Sequence, residues 1–66
     1  MKIAVNGKPR VVDDGWTVSC LIQDLRLSPS GIAVAVNRTV VPRSQRGMVE
    51  LRETDSVEII QAVGGG

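Results

Sequence analysis

The apolar residues of this chain follow a strand-like spacing, then a helical spacing over one segment, and then a strand-like spacing again. This order limits the folds that the chain can adopt. Residues 2–5 predict a strand, and Asn6-Gly7 directly after them is a strong signal for a tight hairpin turn. Residues 10–13 are the expected returning strand. After Gly15 the apolar residues follow the helical period, and strand-like segments return later. One helix must therefore cover one face of a sheet.

The helical segment has a clear start and a clear end. Thr17 is the expected N-cap, and it precedes an apolar stripe at positions i, i+3, i+4 and i+7, formed by Val18, Leu21, Ile22 and Leu25. The stripe predicts an amphipathic helix that ends near Arg26. The segment at residues 28–31, Ser-Pro-Ser-Gly, then predicts a loop that separates the helix from the next strand.

The second half reads as three further strands. Residues 32–36 predict a central strand, Asn37-Arg38 a turn, and residues 39–41 a short strand that Pro42 ends. Residues 43–54 are irregular, with Met48, Val49 and Leu51 as the expected anchors, and residues 56–63 form the last strand. We expect an α+β, β-grasp (ubiquitin-like) fold, a mixed sheet of about five strands with one main helix on one face. Residues 1–63 form this domain, and residues 64–66 a flexible glycine tail.

Charge and residue usage exclude several classes of function. Eight basic and seven acidic residues give a formal charge of +1, which offers no electrostatic footprint for nucleic acid or for a polybasic membrane contact. The sequence has no histidine and one cysteine, Cys20, so neither a histidine-dependent triad nor a nitrogen or sulfur metal site is expected. Without a signal-peptide pattern or a disulfide pair, the expected location is the cytoplasm.

Four segments carry a family resemblance, and together they cover nearly the whole chain. They are the first hairpin at residues 3–8, the helix start at 17–22, the middle segment at 35–44 and the final segment at 57–66. They resemble the ThiS family, most specifically in the last segment and in Val41-Pro42-Arg43-Ser44. Many members of this family carry an aromatic residue just after the Arg-Ser pair, where this chain has Gln45-Arg46-Gly47.

The resemblance implies a carrier function for the C-terminal glycines, with no bound cofactor. An E1-like adenylyltransferase (ThiF type) would adenylate the carboxylate of Gly66, and sulfur from a persulfide protein would displace AMP. A thiazole synthase (ThiG type) would then use the thiocarboxylate to build the thiazole of thiamin. Gly64 and Gly65 would deliver Gly66 to these partners, because residues without Cβ fit a narrow channel.

The last strand also predicts a surface for docking. If its residues Val57, Ile59 and Val63 face the helix, the alternate residues lie on the open face of the sheet. The resulting shallow apolar patch would dock the activating enzyme, and it consists of Ile60, Ala62, Ala33 and Ala35.

Other residues receive structural interpretations. Cys20 lies away from the apolar stripe and is expected at the flank of the helix, without a role in sulfur relay. Trp16 is expected to pack over an edge of the core. The basic residues of the second half are expected on a solvated face, and they are Arg38, Arg43, Arg46 and Arg52.

Three alternatives remain open from the sequence. The small subunit of molybdopterin synthase would use the same tail with another sulfur acceptor. A ubiquitin-like modifier would be conjugated to lysines through the same carboxylate. A plain binding module would leave the tail inert.

Overall fold

The computed structural model describes residues 1–61, and residues 62–66 lie outside the described part. The strands are β1 (Lys2–Val5), β2 (Lys8–Val11), β3 (Ile32–Val36), β4 (Thr39–Val40) and β5 (Ser56–Gln61). The helix α1 spans Val18–Asp24, and a single 3₁₀ turn spans Arg43–Gln45. Within residues 1–61, no helix has the length and apolar character needed to cross a membrane.

The five strands form one mixed sheet in the order β2-β1-β5-β3-β4. β5 is central and pairs in parallel with β1, while the other pairs are antiparallel. The core lies between one face of this sheet and α1, and its buried side chains are Ile3, Val12, Val18, Leu21, Ile22, Val34, Leu51, Val57 and Ile59. The expected β-grasp arrangement is confirmed, including the helix on one face and the predicted apolar stripe.

Both hairpins turn through two residues in the left-handed region. The φ angles are 51° at Asn6 and 82° at Gly7, and 51° at Asn37 and 68° at Arg38. Two residues of positive φ match the twist of the flanking strands. The returning strand therefore begins at Lys8, earlier than the predicted residue 10, with Pro9 opposite Ala4. Pro9 is tolerated in β2 because β2 is an edge strand.

The helix begins as predicted but ends two residues early. Thr17 caps it by accepting a hydrogen bond from the backbone N–H of Cys20. At the other end Arg26 has a φ of 58°, so it cannot continue the helix. The N–H of Leu27 donates to Ile22 and the N–H of Arg26 to Gln23, which is the Schellman pattern. Glycine is the usual residue there, so Arg26 gave no stop signal in the sequence.

Residues 43–54 are anchored differently from the prediction. Leu51 is buried and Val49 is partly buried, as expected, but Met48 is 75% exposed, so its assignment as an anchor was wrong. Arg46 anchors this segment in place of Met48, through its guanidinium group. It is 5% exposed and donates to the carbonyls of Pro29 and Ile32, each at 2.8 Å.

The expectation of a solvated face therefore fails at Arg46 and is confirmed elsewhere. The other three basic residues of the second half are exposed, namely Arg38, Arg43 and Arg52. A buried arginine cannot be identified from apolar spacing, because its partners here are backbone carbonyls distant along the chain, one in the loop at Pro29 and one at Ile32, the first residue of β3. Trp16 packs against the core as predicted.

Candidate functional site

The predicted reactive end of the chain lies outside the described residues. This applies to Gly64, Gly65 and Gly66, and also to Ala62 and Val63. Their assigned roles stay predictions. The structure describes the strand that leads toward them and the surface on either side of it.

β5 carries the chain along the centre of the sheet toward the C-terminus. Val57 is fully buried and Ile59 is 8% exposed, which confirms that these two residues face the helix. On its β3 side the strand is paired from Val57, opposite Val36, to Gln61, opposite Ile32. On its β1 side the backbone pairing covers only Ser56 and Val57.

The open face of the sheet brings together three of the four residues predicted for docking. Ile60 is 67% exposed and lies opposite Ala33, and Ala35 lies on the same face opposite Glu58. These three residues form one side of an open depression of about 240 Å³. Sequence reasoning missed Val40, which is 69% exposed and lies opposite Ala35 on the neighbouring strand. We call Ala33, Ala35, Val40 and Ile60 the open-face patch.

Val40 carried a weak signal in the sequence. It is followed by Val41, and in an extended segment adjacent residues point to opposite faces. Val41 is buried, so Val40 is the residue of the pair that faces outward. Arg38 and Glu58 also line the depression, which gives the apolar patch charged neighbours of both signs.

Two asparagines hold β5, one near each end. Asn37 accepts a hydrogen bond from the N–H of Ser56 through Oδ1 at 3.0 Å, and its Nδ2 donates to Asp55 at 2.9 Å. Asn6 accepts from the N–H of Ile59 at 2.8 Å and donates to the carbonyl of Ile59 at 3.3 Å. The sequence predicted both asparagines only as turn residues, since nothing local indicates a partner 53 residues away for Asn6 or 19 residues away for Asn37.

A second depression borders the last described residues of β5. It measures about 420 Å³ and is lined by Val5, Asn6, Leu25, Leu27, Ile59 and Gln61. It lies between the first turn and the end of α1, on the helix side of the sheet. None of these described lining residues is a histidine, a cysteine or an acidic residue.

Cys20 is half-buried near the start of the helix, which fits its predicted place at the flank. Its sulfur accepts a hydrogen bond from the Thr17 hydroxyl at 3.3 Å. That bond lowers the pKa of the Cys20 thiol, with a further contribution from the backbone at Thr17. Within residues 1–61, no group of three or more His, Cys, Asp or Glu side chains is arranged to hold a metal ion.

Sheet order, a single covering helix and a central last strand define a small protein of the β-grasp class. The ThiS family model matches residues 3–66. The sulfur carrier protein ThiS of Escherichia coli is 30% identical, and the match spans both chains completely. The crystal structure of a thiamine biosynthesis protein (ThiS) from Geobacter metallireducens superposes with a TM-score of 0.85 at 30% identity, again over both whole chains. The chain belongs to the ThiS family.

Two thiazole synthases also match over the full length of this chain. The protein from Magnetococcus marinus is 39% identical and that from Paramagnetospirillum magneticum 33%. The chain spans only a fifth of the length of each of these two relatives. A segment similar to this domain is thus part of a much longer polypeptide in both.

Proposed function

We propose that this protein is a sulfur carrier that supplies sulfur for the thiazole of thiamin. The observation that carries the proposal is the match to the ThiS family over residues 3–66, since this range includes the glycine tail. The sulfur carrier from Escherichia coli, matched from end to end, supports the same function. The chain is then a co-substrate of its partners and not an enzyme.

The proposed chemistry takes place at the carboxylate of Gly66. A carboxylate is a poor electrophile, so an oxygen of Gly66 first attacks the α-phosphorus of ATP, and pyrophosphate leaves. The terminal sulfur of a persulfide then attacks the carbonyl carbon of the acyl adenylate, and AMP leaves. A thiol then attacks the donor's sulfur in the resulting acyl disulfide and forms a disulfide with the donor, and the thiocarboxylate leaves as part of Gly66. With no Cβ, Gly66 gives the large sulfur nucleophile an open approach.

The partners supply the groups that this chain does not carry. An E1-like adenylyltransferase of the ThiF type provides the ATP site, and a persulfide protein provides the sulfur. The sequence contains no histidine, and its net charge of +1 gives no reason to add a nucleic-acid partner. Gly64 and Gly65 serve as the thin connection that reaches into the active sites of these enzymes.

A thiazole synthase of the ThiG type is the proposed acceptor of the sulfur. Support comes from the two thiazole synthases that contain a segment similar to this chain. Two functions joined in one polypeptide act at very high effective concentration, which suits a donor and an acceptor of the same group.

The open-face patch is the proposed docking surface for the activating enzyme, with Ala62 as a further member. Exposed apolar side chains on one face of a sheet are suited to a protein interface. Ile60 is the largest side chain of the patch and belongs to the strand that leads to the tail. Docking there would hold the tail beside the partner that reacts with it.

The test is the intact mass of the chain after reaction with the adenylyltransferase, ATP and a persulfide donor. The expected product has one oxygen replaced by sulfur, and fragmentation assigns the sulfur to Gly66. Addition of thiazole synthase and its substrates should then return the carboxylate form. Lysine-linked adducts would indicate a modifier, and sulfur taken up only by a pterin precursor would indicate the molybdopterin route. An unmodified chain would contradict the proposal.

A further inference from the structure

The β1–β5 ladder ends early, and the Asn6 side chain continues it. In the parallel pair the N–H of Ala4 donates to Asp55 and the N–H of Asn6 donates to Val57, at 2.9 and 2.8 Å. The next backbone unit of β1 would meet Ile59, but the chain turns at Asn6-Gly7. The carboxamide of Asn6 bonds both the N–H and the carbonyl of Ile59 instead. A side-chain amide thus takes the place of a peptide group.

These two hydrogen bonds satisfy the N–H and the carbonyl of Ile59, which lie beyond the end of the β1–β5 backbone pairing. Ile59 is 8% exposed, so its backbone groups lie where an unpaired donor or acceptor is costly. The N–H and carbonyl of one strand residue point to the same side, here toward β1. Asn6 is therefore the group that fixes the end of β5 on its β1 side. On the other side, β3 holds the same segment through Ile32 opposite Gln61.

We infer that Asn6 is a positioning residue for the reaction of the C-terminal tail. Its side chain fixes Ile59, and hence the place from which the chain continues toward Gly66, seven residues later. The inference rests on the proposed function, because it concerns delivery of that carboxylate to the activating enzyme. Misplacement of a reacting group by about 1 Å can cost about 100-fold in rate.

The loss of this contact should affect turnover more than docking. The open-face patch belongs to β3, β4 and β5, and the β3–β5 pairing does not depend on Asn6. A domain without the Asn6 side chain would therefore dock normally while its β5 end shifts away from β1. More of the docked complexes would then hold the tail outside the reactive geometry.

Asn37 provides a matched control within the same chain. It stands at the same position of the other hairpin turn, with the same φ of 51°, and it also bonds a backbone N–H of β5. Its contact is with Ser56, at the far end of the strand. Glycine accepts positive φ without strain, so Asn6→Gly and Asn37→Gly each remove the side chain and keep the turn. Asn6→Asp keeps the acceptor for the Ile59 N–H and removes the donor.

The experiment compares these variants with the wild type in ATP–pyrophosphate exchange catalysed by the activating enzyme, as a function of carrier concentration. Asn6→Gly should lower kcat by about tenfold and leave KM within about twofold of the wild-type value. The kcat of Asn6→Asp should lie between those of Asn6→Gly and the wild type. Asn37→Gly should keep the wild-type kcat. Hydrogen exchange at the Ile59 amide should accelerate in Asn6→Gly and not in Asn37→Gly. Urea unfolding confirms that each variant is folded under the assay conditions.

The outcomes separate this inference from the proposed function. A wild-type chain that supports no exchange would overturn the proposed function and the inference together. A wild-type kcat in Asn6→Gly, or an equal loss of kcat in Asn37→Gly, would overturn the inference and leave the carrier function in place. If Asn6→Gly does not fold, Asn6→Asp tests the inference instead. A wild-type kcat in that variant, together with accelerated hydrogen exchange at the Ile59 amide, would overturn the inference.

Discussion

Cys20 lies beside the residue that caps the helix, and its sulfur accepts a hydrogen bond from the Thr17 hydroxyl. The same hydroxyl oxygen accepts a bond from the Cys20 N–H, so the two residues form a small local network. A thiol in a sulfur-carrying protein could in principle take part in sulfur transfer. The contacts of Cys20 indicate instead that it stabilises the start of the helix.

We predict that Cys20→Ser leaves thiocarboxylate formation on the chain intact. Serine keeps a small polar side chain at this position, and the proposed route brings sulfur from a persulfide protein directly to Gly66. The check is the intact mass of the variant after reaction with the activating enzyme, ATP and a persulfide donor. Loss of the sulfur-containing product in a folded variant would assign Cys20 a role as a relay.

The Thr17 hydroxyl gives Cys20 a measurable pH signature. It lowers the pKa of the thiol because a hydrogen bond stabilises the thiolate. Because the thiolate is the form that reacts with iodoacetamide, alkylation should reach half its maximal rate at lower pH than for an unstructured cysteine. Thr17→Val should move that midpoint upward, and Thr17→Ser should leave it in place. Equal midpoints in Thr17→Val and the wild type would show that the hydroxyl has no effect.

Among the secondary-structure elements, the C-terminal end of α1 carries strain. Arg26 holds a left-handed conformation in a position where glycine is the usual residue. The Schellman hydrogen bonds from the N–H groups of Arg26 and Leu27 stabilise that conformation, because they satisfy the last carbonyls of the helix. Glycine would make the same bonds without contact between Cβ and the backbone.

Arg26→Gly is therefore expected to stabilise the protein. A non-glycine residue in the left-handed region costs about 1–2 kcal/mol, and the extra freedom of glycine in the unfolded chain offsets part of the gain. We expect a net increase of about 0.5–1 kcal/mol in the free energy of unfolding, measured with urea. Arg26→Ala keeps the Cβ and serves as the control, with little or no gain. A less stable glycine variant would contradict this interpretation of the helix end.

The sheet contributes the open-face patch, and Ile60 is its most informative residue. Ile60→Asp places a charge on an exposed position, so the fold should tolerate it while the apolar interface with the activating enzyme should not. We expect KM for the carrier to rise by at least about tenfold in the adenylation assay. Met48→Asp is the matched control, since Met48 is even more exposed and lies outside the sheet. Unchanged adenylation in Ile60→Asp would exclude the patch as a docking surface.

On the scale of the whole molecule, the sequence predicted the fold class and the order of the elements along the chain, and it located most of the core. Periodicity is a reliable guide where a segment packs one face against the interior, as in α1 and β5. It failed where the decisive contact joins distant segments. Arg46 is buried and binds the carbonyls of Pro29 and Ile32, and Asn6 binds Ile59 across more than fifty residues. Neither contact has a local pattern, so only the folded arrangement reveals it.

The predicted division of the chain into a folded domain and a glycine tail leads to a prediction for the whole molecule. Within residues 1–61 the buried side chains of the core run from Ile3 to Ile59, and residues 64–66 are glycines, whose removal deletes no side chain. We expect the shortened chain to unfold at the same urea concentration as the full chain and to lose adenylation completely. The matched control adds three glycines after Gly66, which keeps the tail composition and displaces the reactive carboxylate. A large loss of stability on shortening would show that the glycines belong to the folded domain, and residual adenylation would mean that Gly66 is not the modified residue.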